Sequence, residues 1–319
     1  YKDLTVWLRT PYSTGMPRKQ RIEYQGAVYH IISRGNYRKN LFTHEKTAEA
    51  FERAIFEAAE RCGWKLHAYV IMSNHYHLAI ETPEPNMVEG MRWLQSTFAT
   101  RFNRFRNEQG HVFQGRYKSL LINEDRPLLG LIDYIHLNPV RAKLCSVDQL
   151  KSYARSSFPK YFKRKILPPL DRTTLLSLAD LPDSLPGMRK YAERLKLVDE
   201  RNPKQREKLA KQYCRGWFLG SSKAKKALAK DLAESNPAVD WEGVELKELN
   251  EQMWEGIVQA EMKRLKKTEG NVASAPKGAG WKIEIAKRLR KETTAKNPWI
   301  AKRLHMGHPN YVSNLVNKS

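Results

Sequence analysis

The chain has 319 residues, with 57 Lys and Arg against 34 Asp and Glu, a formal net charge of +23. A 41% apolar fraction supplies packed cores, which excludes a wholly disordered basic tail, and the length suggests two or three domains. No run of about 18 apolar residues occurs, which excludes a membrane-spanning helix. Cys62, Cys145 and Cys214 are odd in number and far apart, so a disulfide framework or a cysteine zinc site is excluded and a cytoplasmic compartment fits. The charge favours polyanions as partners, nucleic acid first. It is uneven: residues 1–150 carry 21 basic and 15 acidic side chains, net +6, and residues 151–319 carry 36 and 19, net +17.

Residues 1–15 show no periodic pattern and no signal peptide, and are expected to be an N-terminal extension. The β-forming run AVYHIIS (27–33) predicts a strand ending at the turn residue Gly35. Phe51, Ile55 and Ala59 at helical spacing predict a helix over 45–62, closed by Gly63. Residues 65–72 and 75–81 predict a β-hairpin joined at Ser73-Asn74. A helix follows over 87–107, with Met91, Leu94, Phe98 and Phe102 on its stripe and Arg92, Arg101, Arg104 and Arg106 also along it. Residues 113–122 predict a fourth strand and 127–138 a helix with Pro127 at its first position. The order β-α-β-β-α-β-α predicts an α+β, ferredoxin-like catalytic domain, an antiparallel sheet with helices.

Beyond residue 150 the pattern is helical with proline breaks. Helices are expected at 188–198, 203–213 and 248–267, with a flexible linker over the Gly/Ala/Ser-rich 270–280. The turn-rich GWFLG (216–220) is an apolar spot that would dock this region on the core. A basic helix is expected at 282–296, then two short helices about Gly307-His308-Pro309, a pattern that resembles a helix-turn-helix. Residues 261–319 hold 14 basic and 4 acidic side chains, net +10, which points to DNA. Lys302, Arg303, Asn310, Tyr311 and Asn314 are the candidate contacts there. The expected division is 16–158, a helical accessory region at 159–247, and a basic helical region at 248–319.

Two patterns carry chemistry. In His75-Tyr76-His77 the two imidazoles are two apart on a strand and share one face, the spacing at which a divalent metal is held. The same spacing also suits two core histidines. In the helix over 127–138, Leu128, Leu131, Ile132 and Ile135 form the apolar stripe, while Gly130, Tyr134 and Asn138 are four apart on another face. That suits a tyrosine with an amide ligand one turn on, with Gly130 leaving room for a backbone near the hydroxyl. It equally suits a tyrosine packed on the sheet with Asn138 capping the helix.

Three blocks in order, VIMSNHYHLAIETP (70–83), HVFQGRYKS (111–119) and DYIHLNPVRA (133–142), resemble the single-tyrosine HUH transposases, and are most similar to the REP-associated tyrosine transposases. The resemblance covers about residues 16–158. It implies a ferredoxin-like core that cuts and rejoins single-stranded DNA at hairpin-forming repeats. It implies His75 and His77 as metal ligands with Asn138 as the third, Mg²⁺ or Mn²⁺ as the cofactor, and Tyr134 as the nucleophile, linked to a 5′ phosphate. Tyr76 stands where relatives carry a bulky apolar residue, and Asn138 where many carry Gln. Arg101, Arg104, Arg116 and Lys118 are candidate DNA contacts, the last two expected on one strand face. A nucleoid-associated enzyme, monomeric or homodimeric, is expected, with duplex DNA as a further partner of the C-terminal helices. The alternative is a domesticated, non-catalytic DNA-binding regulator, in which an intact His–His–Tyr set would have no reason to persist.

Overall fold

A computed structural model describes residues 21–200, 203–225, 227–228, 247–293 and 295–317. The expected extension at 1–15 lies outside them. The chain divides into two compact units, and the described residues fall chiefly in 23–225 and 247–317.

In the first unit the strands are β1 (Ala27–Arg34), β2 (Lys65–Ile71), β3 (His75–Thr82), β4 (Lys118–Ile122) and β5 (Phe218–Leu219), ordered β2-β3-β1-β4-β5. The first four are antiparallel neighbours, with β3 between β1 and β2 and β1 between β3 and β4. That is the split βαβ arrangement expected of a ferredoxin-like sheet. Helix α1 (Glu45–Cys62) connects β1 to β2, and α2 (Met87–Arg106) connects β3 to β4. Gly63, at φ +66, ends α1 by donating its N–H to the open carbonyl of Glu60.

Side-chain alternation sets the two faces. Tyr76 and Leu78 of β3 share one face with Ser33 and Ile31, their partners on β1. There Phe51 of α1 packs 4.6 Å from Tyr76 and 4.8 Å from Phe98 of α2. His77 and Ala79 share the opposite face with their partners Ile32 and His30. Helix α3 (Asp125–His136) covers that face through Leu128, Leu131, Ile132 and Ile135, the predicted stripe, all buried.

Several expectations are corrected. The fourth strand is Lys118–Ile122 rather than 113–122, because Gly115 turns at φ +62 and Phe113 forms only an isolated bridge to Gly35. Arg116 therefore lies before the strand and shares no strand face with Lys118. Helix α3 starts at Asp125, so Pro127 is its third residue, and it stops at His136. Four residues of α4 (Asn138–Arg141) follow across Leu137.

The boundary expected at 158 falls inside a core. Helices α5 (Ser157–Lys160), α6 (Arg172–Leu178) and α7 (Leu185–Asp199) bury Phe158, Leu175, Leu176, Met188, Tyr191 and Leu195 in the same cluster as the stripe of α3. Helix α8 (Pro203–Cys214) follows. The GWFLG spot docks as β5, parallel to β4, and Leu121 donates its N–H to the Trp217 carbonyl at 2.7 Å.

The second unit is helical: α9 (Lys247–Arg264), α10 (Glu269–Ser274), α11 (Gly280–Glu292), α12 (Asn297–Arg303) and α13 (Pro309–Asn317). Its core holds Ile257, Val258, Ile285, Leu289, Ile300, Leu304, Met306 and Val312. The expected linker at 270–280 is instead built into this core. Thr268 and Asn271 close a capping box at the start of α10, and Val272 is buried. Lys282, in the expected basic helix, is fully buried and donates to the Val272 and Ala275 carbonyls at 2.9 and 3.0 Å.

Candidate active site

The site forms where the central strands β1 and β3 face α3, and where α8 ends. The pleat brings His75 and His77 to one face, their ring centroids 5.2 Å apart. His77 is 2% exposed and His75 is half-buried. Tyr134 comes from α3 on the facing layer, its ring 5.6 Å from that of His77 and edge-on to it. The residues that the sequence places 57 positions apart are therefore neighbours.

Each imidazole is oriented by a second polar group. His75 Nδ1 lies 2.7 Å from Asn74 Oδ1, and the Asn74 amide nitrogen donates to the Arg38 carbonyl. His77 Nδ1 lies 2.9 Å from His30 Nε2 on the adjacent strand. Burial, first, and the charge of Arg34 hold the His75 pKa down at about 4. Burial, then the neighbouring His30, His75, Arg34 and Arg141, hold His77 well below the ordinary histidine value. Both rings are therefore neutral at pH 7, the state in which imidazole binds a metal.

Tyr134 is 6% exposed. Its hydroxyl lies 3.1 Å from Cys214 Sγ at the end of α8, and its ring 5.2 Å from that of Tyr213. Burial raises its pKa, as does Cys214, while the Arg141 guanidinium and a hydrogen bond from Asn138 pull it back. Arg141 lies over the ring, 4.6 Å from its centroid. Gly130 is one turn before Tyr134, and a Cβ there would meet the Tyr213 hydroxyl at 2.1 Å. The glycine thus makes room for Tyr213 rather than for a backbone.

The donor set suits a divalent metal. His75 and His77 offer imidazole nitrogens on one face, and Asn138 offers an amide oxygen, a set compatible with first-row ions and with Mg²⁺ alike. The Asn138 amide nitrogen donates to the Tyr134 carbonyl at 2.9 Å, so the oxygen is its remaining donor atom. Among the described residues no three His, Cys, Asp or Glu converge on a metal position.

The candidate DNA contacts are dispersed. Arg101 is exposed and pairs with Glu57 at 2.8 Å, and Arg104 and Arg116 are exposed. Lys118 donates to the Cys214 carbonyl at 2.6 Å, beside the tyrosine. In the second unit Lys302, Asn310, Tyr311 and Asn314 are exposed. Arg303 is committed inward, to Glu255 at 2.6 Å and to Glu269. Sequence reasoning missed His30, Asn74, Arg141, Tyr213 and Cys214. The signal for His30 was a histidine inside the β-run AVYHIIS; for Arg141 it was its place seven residues after Tyr134, two helical turns on.

A ferredoxin-like sheet with a histidine pair facing a tyrosine helix defines a class, and residues 23–138 match the family model described as an IS200-like transposase. That part of the chain is similar to this family. Over 129 residues, 37% of this chain and 72% of the relative, it is 27% identical to a protein of Haemophilus influenzae (strain Rd) described as a REP-associated tyrosine transposase. Among solved structures it is similar to a REP-associated tyrosine transposase bound to a REP hairpin, at TM-score 0.39 and 20% identity, over 48% of this chain and 90% of that one. A protein of Deinococcus radiodurans R1 described as a transposase is similar at TM-score 0.28 and 20% identity, over 34% and 89%. The family match ends at residue 138, before Arg141 and α8.

Proposed function

We propose that the chain is a metal-dependent single-stranded DNA endonuclease and strand transferase that acts on hairpin-forming repeat DNA through a phosphotyrosine. The observation that carries this reading is the placement of Tyr134 on α3 against the neutral His75–His77 pair of β3, 5.6 Å ring to ring from His77. The match of residues 23–138 to the IS200-like transposase family model supports it.

A divalent ion bound there supplies Lewis-acid polarisation of a scissile phosphate. His75 and His77 would hold it, with Asn138 as the third donor. Tyr134 attacks the phosphorus: its Oη–P bond forms as the P–O3′ bond breaks. The phenol proton leaves Tyr134, and the departing 3′ oxygen ends as a hydroxyl. The bond energy stays in the phosphotyrosine, so a 3′ hydroxyl can reverse the step on another junction without ATP. Arg141 favours the phenolate through its charge. Lys118, Arg101, Arg104 and Arg116 would contact DNA backbone. Lys302, Asn310, Tyr311 and Asn314 would give the second unit its own grip on duplex or hairpin DNA.

The test is to incubate the full chain with an end-labelled single-stranded hairpin and Mn²⁺ or Mg²⁺ and look for a denaturation-resistant adduct. The adduct is expected in the wild type and lost in Tyr134→Phe and in His75→Ala/His77→Ala. The same adduct in Tyr134→Phe overturns the assignment.

A further inference from the structure

We infer that His30 is a positioning residue that fixes the tautomer of His77, and that it does so because the end of α8 fixes the tautomer of His30. The inference rests on His75 and His77 being the metal-holding pair.

The hydrogen bonds between these groups have a forced direction. His30 is fully buried on the central strand β1. Its Nδ1 lies 2.9 Å from the Tyr213 carbonyl oxygen. A carbonyl only accepts, so His30 Nδ1 carries the proton. In a neutral ring Nε2 is then a bare lone pair. That lone pair lies 2.9 Å from His77 Nδ1, so His77 Nδ1 must donate. His77 is thereby held as the Nδ1–H tautomer, and its own Nε2 is the lone pair presented to the site. The two rings stack at 5.1 Å with an interplanar angle of 22°, which restrains their rotation as well.

An isolated neutral histidine can place its proton on either nitrogen, and only the unprotonated one ligates. A second group that accepts from the far nitrogen orients a metal-binding imidazole and raises its basicity. His75 gets the same service from Asn74 Oδ1, a residue of its own hairpin turn. His77 gets it from 47 residues away on β1 and, through Tyr213, from 183 residues beyond that. Both rings are buried, His30 fully and His77 to 2% exposure, which opposes an imidazolium in this chain of bonds. The C-terminal end of α8, outside the matched family region, is thus part of how the site is built.

The test uses the full chain with ¹⁵N-labelled histidine, first without metal. Long-range ¹H–¹⁵N spectra separate the two tautomers. His77 is expected as Nδ1–H in the wild type. His30→Leu removes the acceptor: His77 should shift to Nε2–H or an average of both, and Mn²⁺ affinity, read from free Mn²⁺ by electron paramagnetic resonance, should fall about tenfold or more. His30→Gln places an amide oxygen near the former Nε2 and should restore both readouts. Nε2–H on His77 in the wild type overturns the inference, even where His30→Leu fails to fold. An unchanged His77 pattern and Mn²⁺ affinity in a folded His30→Leu chain also overturn it. Nδ1–H on His77 in a wild type that binds no Mn²⁺ supports the positioning and instead overturns the metal-dependent function.

Discussion

In the proposed reaction Tyr134 is the nucleophile, and a buried phenol is a poor one. Burial and Cys214 push its pKa up; Arg141, over the ring at 4.6 Å, and Asn138 push it down. Removing the Arg141 charge therefore raises the Tyr134 pKa further. Arg141→Ala should move the alkaline limb of the adduct-formation rate to higher pH and slow the reaction at pH 7.5 by about tenfold, with Arg141→Lys intermediate. Unaltered pH–rate profiles in single-turnover assays would remove Arg141 from the chemistry. His67 makes a second case in which a charge is decided by its neighbours. It is fully buried in the bulge of β2, 3.4 Å from both Glu81 and Asp171. Burial disfavours its charged form, but the two carboxylates outweigh burial and raise its pKa above 6.5. His67 in turn holds Glu81 at about 2, and Asp171 is lowered as well, though burial opposes this. A raised histidine stabilises fully below its unfolded pKa and loses that as pH climbs through its folded one. Lowered carboxylates stabilise above their unfolded values and lose that as pH falls. The triad therefore contributes most between about pH 4.5 and 6.5. The urea-unfolding advantage of wild type over His67→Gln should peak in that window and shrink towards pH 8; an advantage independent of pH would show that His67 is not charged.

At the level of elements, β-strand alternation and the apolar stripe of α3 were legible because each follows from short-range periodicity. His75 and His77 on one face, Tyr76 and Leu78 on the other, and Leu128, Leu131, Ile132 and Ile135 on the sheet all stand as read. What was not legible arises from contacts distant in sequence. Nothing in AVYHIIS says that His30 faces a carbonyl at residue 213. Nothing in GNVASAPKGAG says that Val272 will be buried, because Gly and Ala density suits a tight helical corner as well as a linker. Gly130 shows how one element constrains another. Ala at this helix interior gains about 1 kcal/mol of propensity, while overpacking a filled site costs about 1–3 kcal/mol. The Cβ would strike the Tyr213 hydroxyl, and Tyr213 also holds His30 through its carbonyl. Gly130→Ala should therefore lower stability by up to about 2 kcal/mol, on those same two magnitudes. Adduct formation should fall by more than the lost stability accounts for. Tyr213→Phe removes the clashing hydroxyl, so the double variant should recover most of both losses. A double variant no better than Gly130→Ala would place the clash elsewhere.

For the whole molecule the question is what the +17 of residues 151–319 does. Part of it is structural. Of the 14 basic residues in 261–319, Lys282 is buried on carbonyls, Arg303 holds Glu255 and Glu269, and Arg264 and Arg288 both hold the buried Glu261. These ion pairs tie α9 to α10, α11 and α12, so a truncation at 261 would cut α9 and strand its partners. The informative deletion removes the unit from residue 247 onward. If the remaining cations neutralise phosphates, each phosphate deprived of its cation should reduce the slope of log affinity against log salt by about 0.9 on duplex DNA and about 0.7 on single strands. Binding to a labelled hairpin, measured from 50 to 300 mM salt, should weaken and its salt dependence flatten. Adduct formation at saturating protein should persist, because His30, His75, His77, Tyr134, Arg141 and Tyr213 all lie within 23–225. A parallel full-length chain carrying Lys302→Glu and Asn314→Asp should show the same direction with a smaller change. An unchanged salt slope after deletion would mean that the charge of this unit serves its own packing and solubility rather than DNA.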